Sequence, residues 1–141
     1  MNKKAIALSE MSQGFKDLTV YKKAFGLAMD IFEISKSFPK EERYSLTDQI
    51  RRSSRSVCTG IAEAYRKRDY PGYFVSKSSD ADMENSETQV WLQFSLACGY
   101  IVQSKHDELF EKSEEVSRLL NHMVENPEKY VRQKKKLEGE E

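Results

Sequence analysis

The sequence predicts an all-α protein whose four helices pack as an antiparallel up-down bundle. Apolar residues recur at three- and four-residue steps in four separate segments, which is the period of one helix face. No stretch of useful length alternates between apolar and polar residues, as a half-buried strand would. The links between the segments are each shorter than about ten residues, a length typical of connections within bundles. The 141 residues suit one domain, and 38% of them are hydrophobic, which is enough for a core.

The first helix begins at about Asp17 and ends before Phe38-Pro39. A proline disfavours helical geometry at the residue before it, so Phe38 marks the end of the helix. The residues that recur at helical steps are Tyr21, Ala24, Phe25, Ala28, Ile31, Phe32 and Ser35. Residues 1–14 show no sustained pattern, and we expect them to form a flexible N-terminus.

The second helix ends near Arg68, where Pro71-Gly72 follows as a break. Its stripe of buried positions is Leu46, Ile50, Ser53/Ser54, Val57, Ile61 and Tyr65. The third helix runs from about Pro71, because proline is tolerated at a helix start, to about Val102, and Gly99 loosens its last turn. The middle of this helix, SKSSDADMENSE, is low in bulk, which predicts a close helix approach or a polar contact within a bundle or an assembly.

The fourth helix begins after Lys105 and stops at Asn126-Pro127. Its apolar residues are Leu109, Val116, Leu119, Leu120, Met123 and Val124. The four-helix bundle therefore spans residues 15–126. Residues 127–141 form a charged tail with little to bury, and we expect this tail to be disordered.

The cysteines and the apolar content do not indicate a secreted or a membrane protein. Cys58 and Cys98 are too few for a disulfide framework, and each lies among apolar or small residues, which predicts two buried free thiols. The N-terminus lacks the apolar core of a signal peptide, and no run of 18 apolar residues could span a bilayer. We therefore expect a cytoplasmic protein that does not contact a membrane.

The charges are segregated along the chain although their sum is zero, with 23 Lys and Arg against 23 Asp and Glu. From Tyr44 to Arg68 there are six basic and two acidic residues, a net of +4. From Asp69 to Trp91 there are one basic and five acidic residues, a net of −4. Such segregation indicates complementary faces, within the molecule or between copies of it.

Two interpretations of the basic residues of the second helix stay open. In the structural one, cations near the helix C-terminus complement the helix dipole, and arginines pair with carboxylates of the third helix. Those carboxylates are Asp80, Asp82, Glu84 and Glu87. In the functional one, the cations form a stripe that binds the phosphates of RNA or DNA. The candidate phosphate-binding residues are Arg51, Arg52, Arg55, Arg66, Lys67 and Arg68.

A catalytic or metal site is poorly supported by the sequence. Di-iron bundles need Glu-x-x-His pairs, and neither His106 nor His122 has a glutamate three residues before it. No glycine-rich phosphate loop is present among the six glycines. Cys58 lies on a basic helix that could activate its thiol, but a small core residue is the simpler interpretation. We expect no enzyme activity, no metal and no cofactor.

Several short motifs occur here in the order in which a known family has them. A Phe-x-x-Leu pair opens the first helix, a Phe-Pro pair follows it, and the second helix matches the family's Leu-x-x-Gln-Leu-Arg-Arg pattern, with Ile50 at the second Leu, and its Ser-Ile/Val step. The matching residues are Phe15, Leu18, Phe38, Pro39, Leu46, Gln49, Ile50, Arg51, Arg52, Ser56 and Val57. From about Phe15 to Asn126 the chain thereby resembles the proteins encoded within intervening sequences of bacterial 23S ribosomal RNA genes, which are often labelled ribosomal proteins. Gly60 and Ala64 depart from the family's Asn-Ile-Ala-Glu-Gly, so roles of those two family side chains are not carried over.

The resemblance implies a four-helix bundle that assembles as a ring, a homopentamer. It also implies kinship with the accessory proteins of diversity-generating retroelements, which resemble positively charged barrels that engage a reverse transcriptase and nucleic acid. The biochemical function of the intervening-sequence members is largely unassigned. A ring would repeat every exposed arginine, so that weak phosphate contacts would add through multivalency.

Two function hypotheses follow from the residues and the resemblance together. The first is a non-enzymatic oligomer that binds RNA, or an RNA–protein complex, through its basic helix. The second is a protein-interaction scaffold without a nucleic-acid role, whose arginines are used in salt bridges within and between subunits. Net neutrality favours the second, because general nucleic-acid binders are usually basic overall.

Overall fold

The computed structural model describes residues 14–130, and every regular element within that range is helical. The four long helices are α1 (Thr19–Ser35), α2 (Leu46–Arg66), α3 (Pro71–Ala97) and α4 (Gln103–Glu125). Three short 3-10 helices, Phe15–Asp17, Lys40–Glu42 and Pro127–Lys129, precede or follow them. The predicted all-α class and the predicted number of helices are confirmed.

Two apolar clusters fill the interior of the bundle. One joins Val20 of α1, Ile61 of α2, Phe74 of α3 and Leu120 of α4. The other is built on Ile31, Ile50, Leu92 and Leu109, one residue from each helix in turn. Burying a side chain of this size stabilises a fold by roughly 1.5–3 kcal/mol, so each helix is held chiefly by its apolar stripe.

Polar contacts lie in the middle of α3, where the sequence predicts a close approach or a polar contact. Ser53 Oγ and Thr88 Oγ1 are 2.8 Å apart, and both side chains are buried. Asn85 Nδ2 donates to the carbonyl of Ser113 over 2.8 Å, and Ser113 Oγ donates to Asn85 Oδ1 over 2.9 Å. These bonds tie α3 to α2 and to α4, and they satisfy groups that would be costly to bury alone.

The boundaries of α3 and α4 differ from those predicted. α3 ends at Ala97 and not at Val102, because Gly99 adopts a φ of 79° that stops the helix. The amide of Gly99 donates to the carbonyl of Leu96 over 3.0 Å, and the amide of Tyr100 donates to the carbonyl of Ser95 over 2.9 Å. This pair of bonds is a Schellman motif. α4 then begins at Gln103, before the predicted start after Lys105.

The two ends of the chain and the cysteines complete the fold. Residues 1–13 and 131–141, which hold most of the predicted flexible N-terminus and charged tail, lie outside the described residues. Tyr130, at the start of that tail, stacks on Phe74 with ring centres 5.7 Å apart. Cys58 is buried as predicted, but the prediction for Cys98 is wrong, because this residue follows the last packed turn of α3 and is exposed. No helix within residues 14–130 is both long enough and apolar enough to cross a membrane.

Candidate nucleic-acid interface

An open groove rich in arginine lies along α2 and the link before it. Its volume is about 460 Å³. Four arginines, three hydroxyl-bearing residues and one aspartate line it, because positions four and seven residues apart share a helix face. We call this surface the arginine groove; its lining residues are Arg43, Thr47, Asp48, Arg51, Arg52, Arg55, Ser56 and Thr59.

Arg51 is anchored to the end of α1. Its Nε donates a hydrogen bond to Ser35 Oγ over 2.7 Å, and an Nη group lies 3.5 Å from the carbonyl oxygen of Phe32. The guanidinium carbon lies 4.8 Å from the centre of the Phe32 ring, which is a cation–π distance. The last carbonyls of a helix lack partners within the helix, so Arg51 also helps to complete the end of α1. Its first role is therefore to join α1 to α2.

Arg52 is paired within the chain to the acidic helix α3. One Nη group lies 3.4 Å from both carboxylate oxygens of Glu84, and the other forms an ion pair with Glu87. Its Nε donates to Gln49 Oε1 over 3.2 Å. The side chains of all three charged residues are partly exposed, so these pairs contribute little stability individually, typically about 0–1 kcal/mol.

Arg43 and Arg55 are the two exposed arginines of the groove without a carboxylate partner among residues 14–130. Arg51 also lacks one, but it is half-buried and hydrogen-bonded to Ser35. The Arg55 guanidinium carbon lies 5.8 Å from the Phe32 ring centre, and that of Arg43 lies 5.9 Å from the Tyr44 ring centre. These two arginines are therefore the members of the groove best placed to meet an external anion.

A second basic surface lies at the C-terminal end of α2, around a pocket of about 280 Å³. We call it the C-terminal basic cluster; its lining residues are Ala62, Glu63, Arg66, Lys67, Tyr73 and Lys77. Lys67 Nζ lies 5.3 Å from the Tyr73 ring centre, and Lys77 Nζ lies 3.8 Å from a Glu63 carboxylate oxygen. Arg66 is exposed and has no ion pair with another described residue.

The two basic surfaces share one side of α2, whereas Arg68 turns back on the helix. Arg55 and Arg66 are eleven residues apart, which is close to three turns, so their Cα atoms lie about 16 Å apart along one face. Arg68 Nη1 donates to the carbonyl of Tyr65 over 2.8 Å, and its guanidinium carbon lies 3.8 Å from the Tyr65 ring centre. Arg68 therefore helps to cap the C-terminus of α2.

The four candidate carboxylates of α3 divide into two pairs. Glu84 and Glu87 meet Arg52, as described above. Asp80 is exposed and forms no ion pair within residues 14–130. Asp82 Oδ1 is buried and has no hydrogen-bond partner among the described residues. No group of three or more His, Cys, Asp or Glu side chains in this part of the chain is arranged to hold a metal ion.

Sequence reasoning did not select three kinds of residue that line the two surfaces. Arg43 lies in a link, where no helical period assigns a side chain to a face. Thr47, Ser56 and Thr59 are common residue types whose value lies only in their position beside arginines. Lys77 belongs to the acidic segment, but it stands four residues after Tyr73 on α3, and this spacing could have predicted a shared face.

Comparison with known proteins places the chain in a family. The family model described as 23S rRNA-intervening sequence protein matches residues 16–122. A crystal structure of a protein with unknown function, from the S23 ribosomal protein family of Bacteroides thetaiotaomicron, superposes with a TM-score of 0.69 at 26% identity. That match covers 75% of this chain and 95% of the other. No curated protein matches the chain. Since the family model spans most of the sequence, the chain belongs to the 23S rRNA-intervening sequence protein family.

Proposed function

We propose that this chain is a non-enzymatic RNA-binding protein whose arginine groove binds the phosphates of an RNA backbone. The observation that carries the proposal is the pair of exposed arginines, Arg43 and Arg55, which have no ion pair within residues 14–130. Guanidinium groups bind phosphate oxygens through two parallel N–H donors, and neighbouring hydroxyls add further donors. The family is described by the 23S rRNA intervening sequences, and RNA is therefore the nucleic acid that the proposal takes first. Both cysteines are free thiols, which agrees with the cytoplasmic location that the proposal includes.

The six predicted phosphate-binding residues take different parts in this proposal. Arg55, Arg66 and Lys67 remain as phosphate-binding residues, and Arg43 joins them. Arg51 and Arg52 line the groove but are held by Ser35 and Glu87, so they support its shape and add to its positive field. Arg68 supports the end of α2. A phosphate on each basic surface would let one strand follow α2 over about 16 Å.

Charge reversal at one arginine tests the proposal, with a matched arginine elsewhere as the control. Arg55→Glu should weaken binding of a labelled structured RNA, measured by fluorescence anisotropy, by about tenfold, which corresponds to about 1.4 kcal/mol. Arg118→Glu makes the same change of charge on α4. The Arg118 side chain is 63% exposed, and its Nη2 lies 3.0 Å from Oε1 of Glu111. This control should bind within about twofold of wild type, since it lies outside both basic surfaces. Equal binding by wild type and a folded Arg55→Glu variant would refute the assignment.

The proposal includes assembly of copies into a ring of antiparallel bundles. Each apolar cluster contains the start of two helices and the end of the other two, which supports the up-down order. Phe25 and Met29 of α1 are 50% and 45% exposed, and Met83 and Val90 of α3 are 70% and 45% exposed. If the α1 pair of one copy meets the α3 pair of the next, the contact is heterologous, and such contacts form a ring when the rotation between copies closes. The family resemblance implies five copies.

Native mass measures this assembly directly. Light scattering should give a mass near five times the 16.4 kDa of one chain. Phe25→Glu should lower the mass, because a charge would replace an apolar contact, while Arg118→Glu on α4, which belongs to neither helix of the proposed contact, should leave it unchanged. A wild-type protein that runs as a monomer at all concentrations would contradict the ring.

The second candidate function, a scaffold without nucleic acid, is favoured by the pairing of Arg52 with Glu84 and Glu87. In that case the arginines of α2 serve the assembly. Arg52→Ala or Arg55→Ala would then change the native mass or the melting temperature. Unchanged mass and melting in both variants would count against the scaffold.

A further inference from the structure

An aromatic pocket adjoins the arginine groove. It has a volume of about 500 Å³ and lies between the start of α2 and the end of α3. We call it the aromatic pocket; its lining includes Tyr44, Gln49, Trp91, Phe94 and Cys98, and also Glu42, whose carboxylate accepts hydrogen bonds from Ser45 and Tyr100. Tyr44 is 84% exposed and Phe94 is 51% exposed, so neither ring is buried in the core of its own chain. Trp91 packs against Phe94 with ring centres 5.9 Å apart.

The pocket also offers a hydrogen-bonding side chain, the amide of Gln49. Gln49 accepts a hydrogen bond from Arg52 through its Oε1 atom, which leaves the amide N–H groups of Gln49 as donors. A planar ligand whose edge carries carbonyl and ring-nitrogen acceptors would match these N–H donors. A nucleobase has such an edge, and its flat face stacks on aromatic side chains.

The pocket and the groove adjoin each other at two pairs of residues. Arg43 lines the groove and Tyr44 lines the pocket, and the Arg43 guanidinium carbon lies 5.9 Å from the Tyr44 ring centre. Arg52 lines the groove and donates to Gln49, which lines the pocket. A ligand that combines a phosphate with a base on one short linker could therefore contact both surfaces.

We infer that the RNA bound by this protein is unpaired at the groove, with one base stacked in the aromatic pocket between Tyr44 and the Trp91–Phe94 pair. This inference rests on the proposed function, because the arginine groove supplies the phosphate contacts beside the pocket. In a duplex the base is stacked within the helix and its edge is paired, so a duplex reaches the arginines only. The protein thus prefers single-stranded segments such as loops and ends.

Three probes separate the base contact from the phosphate contacts. The first is an unstructured single-stranded RNA of mixed sequence, the second is the same strand in a duplex, and the third is inorganic polyphosphate, which has no bases. Trp91 is the one tryptophan of the chain, so a change in tryptophan fluorescence reports on the surroundings of this residue. Exposed Cys98 gives a second report, since an occupied pocket should slow its alkylation.

We expect all three probes to bind, but only the single strand to quench Trp91 and to protect Cys98. Tyr44→Ala should weaken single-strand binding by about tenfold and leave duplex and polyphosphate binding unchanged, because stacking on one side chain carries an effect of this size. Tyr44→Phe is the matched control and should retain wild-type affinity. Tyr44 is mostly exposed, so neither substitution disturbs the core.

The remaining outcomes overturn one claim or both. Binding of all three probes without quenching, and with Tyr44→Ala equal to wild type, would overturn the base pocket and leave the arginine groove intact. Failure of every probe to bind would overturn the proposed function, and the base pocket with it. A Tyr44→Ala variant of lower native mass would show that the pocket is a contact between copies of the chain, which also overturns the inference.

Discussion

The approach of α2 to α3 at Gly60 provides the sharpest test of the packing. A Cβ atom added at Gly60 would lie 2.9 Å from Ala81 Cβ and 3.3 Å from Ala81 Cα. Carbon atoms in contact are normally about 3.5–4.0 Å apart. Both residues are buried, so a side chain at position 60 cannot turn toward solvent. Gly60→Ala must therefore push the two helices apart or strain the backbone between them.

The magnitude follows from two opposing effects. Alanine gains about 0.8–1 kcal/mol over glycine in a helix interior. Overpacking a buried contact costs about 1–3 kcal/mol, so the single variant should lose roughly 0–2 kcal/mol of unfolding free energy. Ala81→Gly lowers the stability of α3 through the poor helix propensity of glycine, but it removes the Cβ atom with which an alanine at position 60 would collide. In the double variant the two propensity effects cancel, and we expect a favourable coupling of about 1–2 kcal/mol.

Urea unfolding of wild type, both single variants and the double variant completes the cycle. All four must be compared at one protein concentration and with native mass recorded, since assembly makes stability depend on concentration. A coupling below about 0.5 kcal/mol is what independent sites show. That result would refute the packing argument, because it would show that a Cβ atom at position 60 does not collide with Ala81.

Three further predictions concern single side chains. Arg51→Ala removes the bonds to the end of α1 and should lower the unfolding free energy in urea by about 1–2 kcal/mol; no change would mean that Arg51 is not anchored. Burial raises the pKa of the Cys58 thiol to about 11, so very little of the reactive thiolate forms at about pH 8. Iodoacetamide should therefore alkylate the exposed Cys98 first. Equal alkylation rates of the two cysteines, followed by peptide mass spectrometry, would contradict this. The hydrogen bond to Glu42 raises the pKa of Tyr100 to about 12. The stability that this hydrogen bond adds to the folded protein is complete below the ordinary tyrosine pKa of about 10 and is lost as the pH rises through 12. The difference in unfolding free energy between wild type and Tyr100→Phe should therefore shrink between about pH 10 and 12, and a constant difference would contradict this.

The helices could be predicted from the sequence because their signals are local. The period of apolar residues found all four helices, and Pro71 marked the first residue of α3 correctly. The end of α3 was misplaced because hydrophobic residues continue past Gly99 to Ile101 and Val102. Only the positive φ of Gly99 and the two bonds of its Schellman motif end the helix there.

The division of labour among the arginines could not be predicted, because it depends on partners from other helices. Arg51 and Arg55 are four residues apart on one face, yet only Arg51 reaches Ser35 at the end of α1. Likewise, Glu84 and Glu87 meet Arg52 while Asp80 does not, and the spacing of these acids along α3 does not reveal which side of the helix faces α2. Arg43 lines the groove from the link between α1 and α2, where no helical period predicts which way a side chain points.

The dependence of RNA binding on salt tests the central claim most directly. The purified protein would be titrated against a labelled single-stranded RNA by fluorescence anisotropy across a series of salt concentrations, with native mass measured in the same buffers. If exposed arginines bind phosphates, the logarithm of the binding constant should fall linearly with the logarithm of salt, with a slope of about −0.7 for each phosphate neutralised on a single strand. An intact oligomer that binds no RNA at low salt, or binds it without dependence on salt, would contradict the claim.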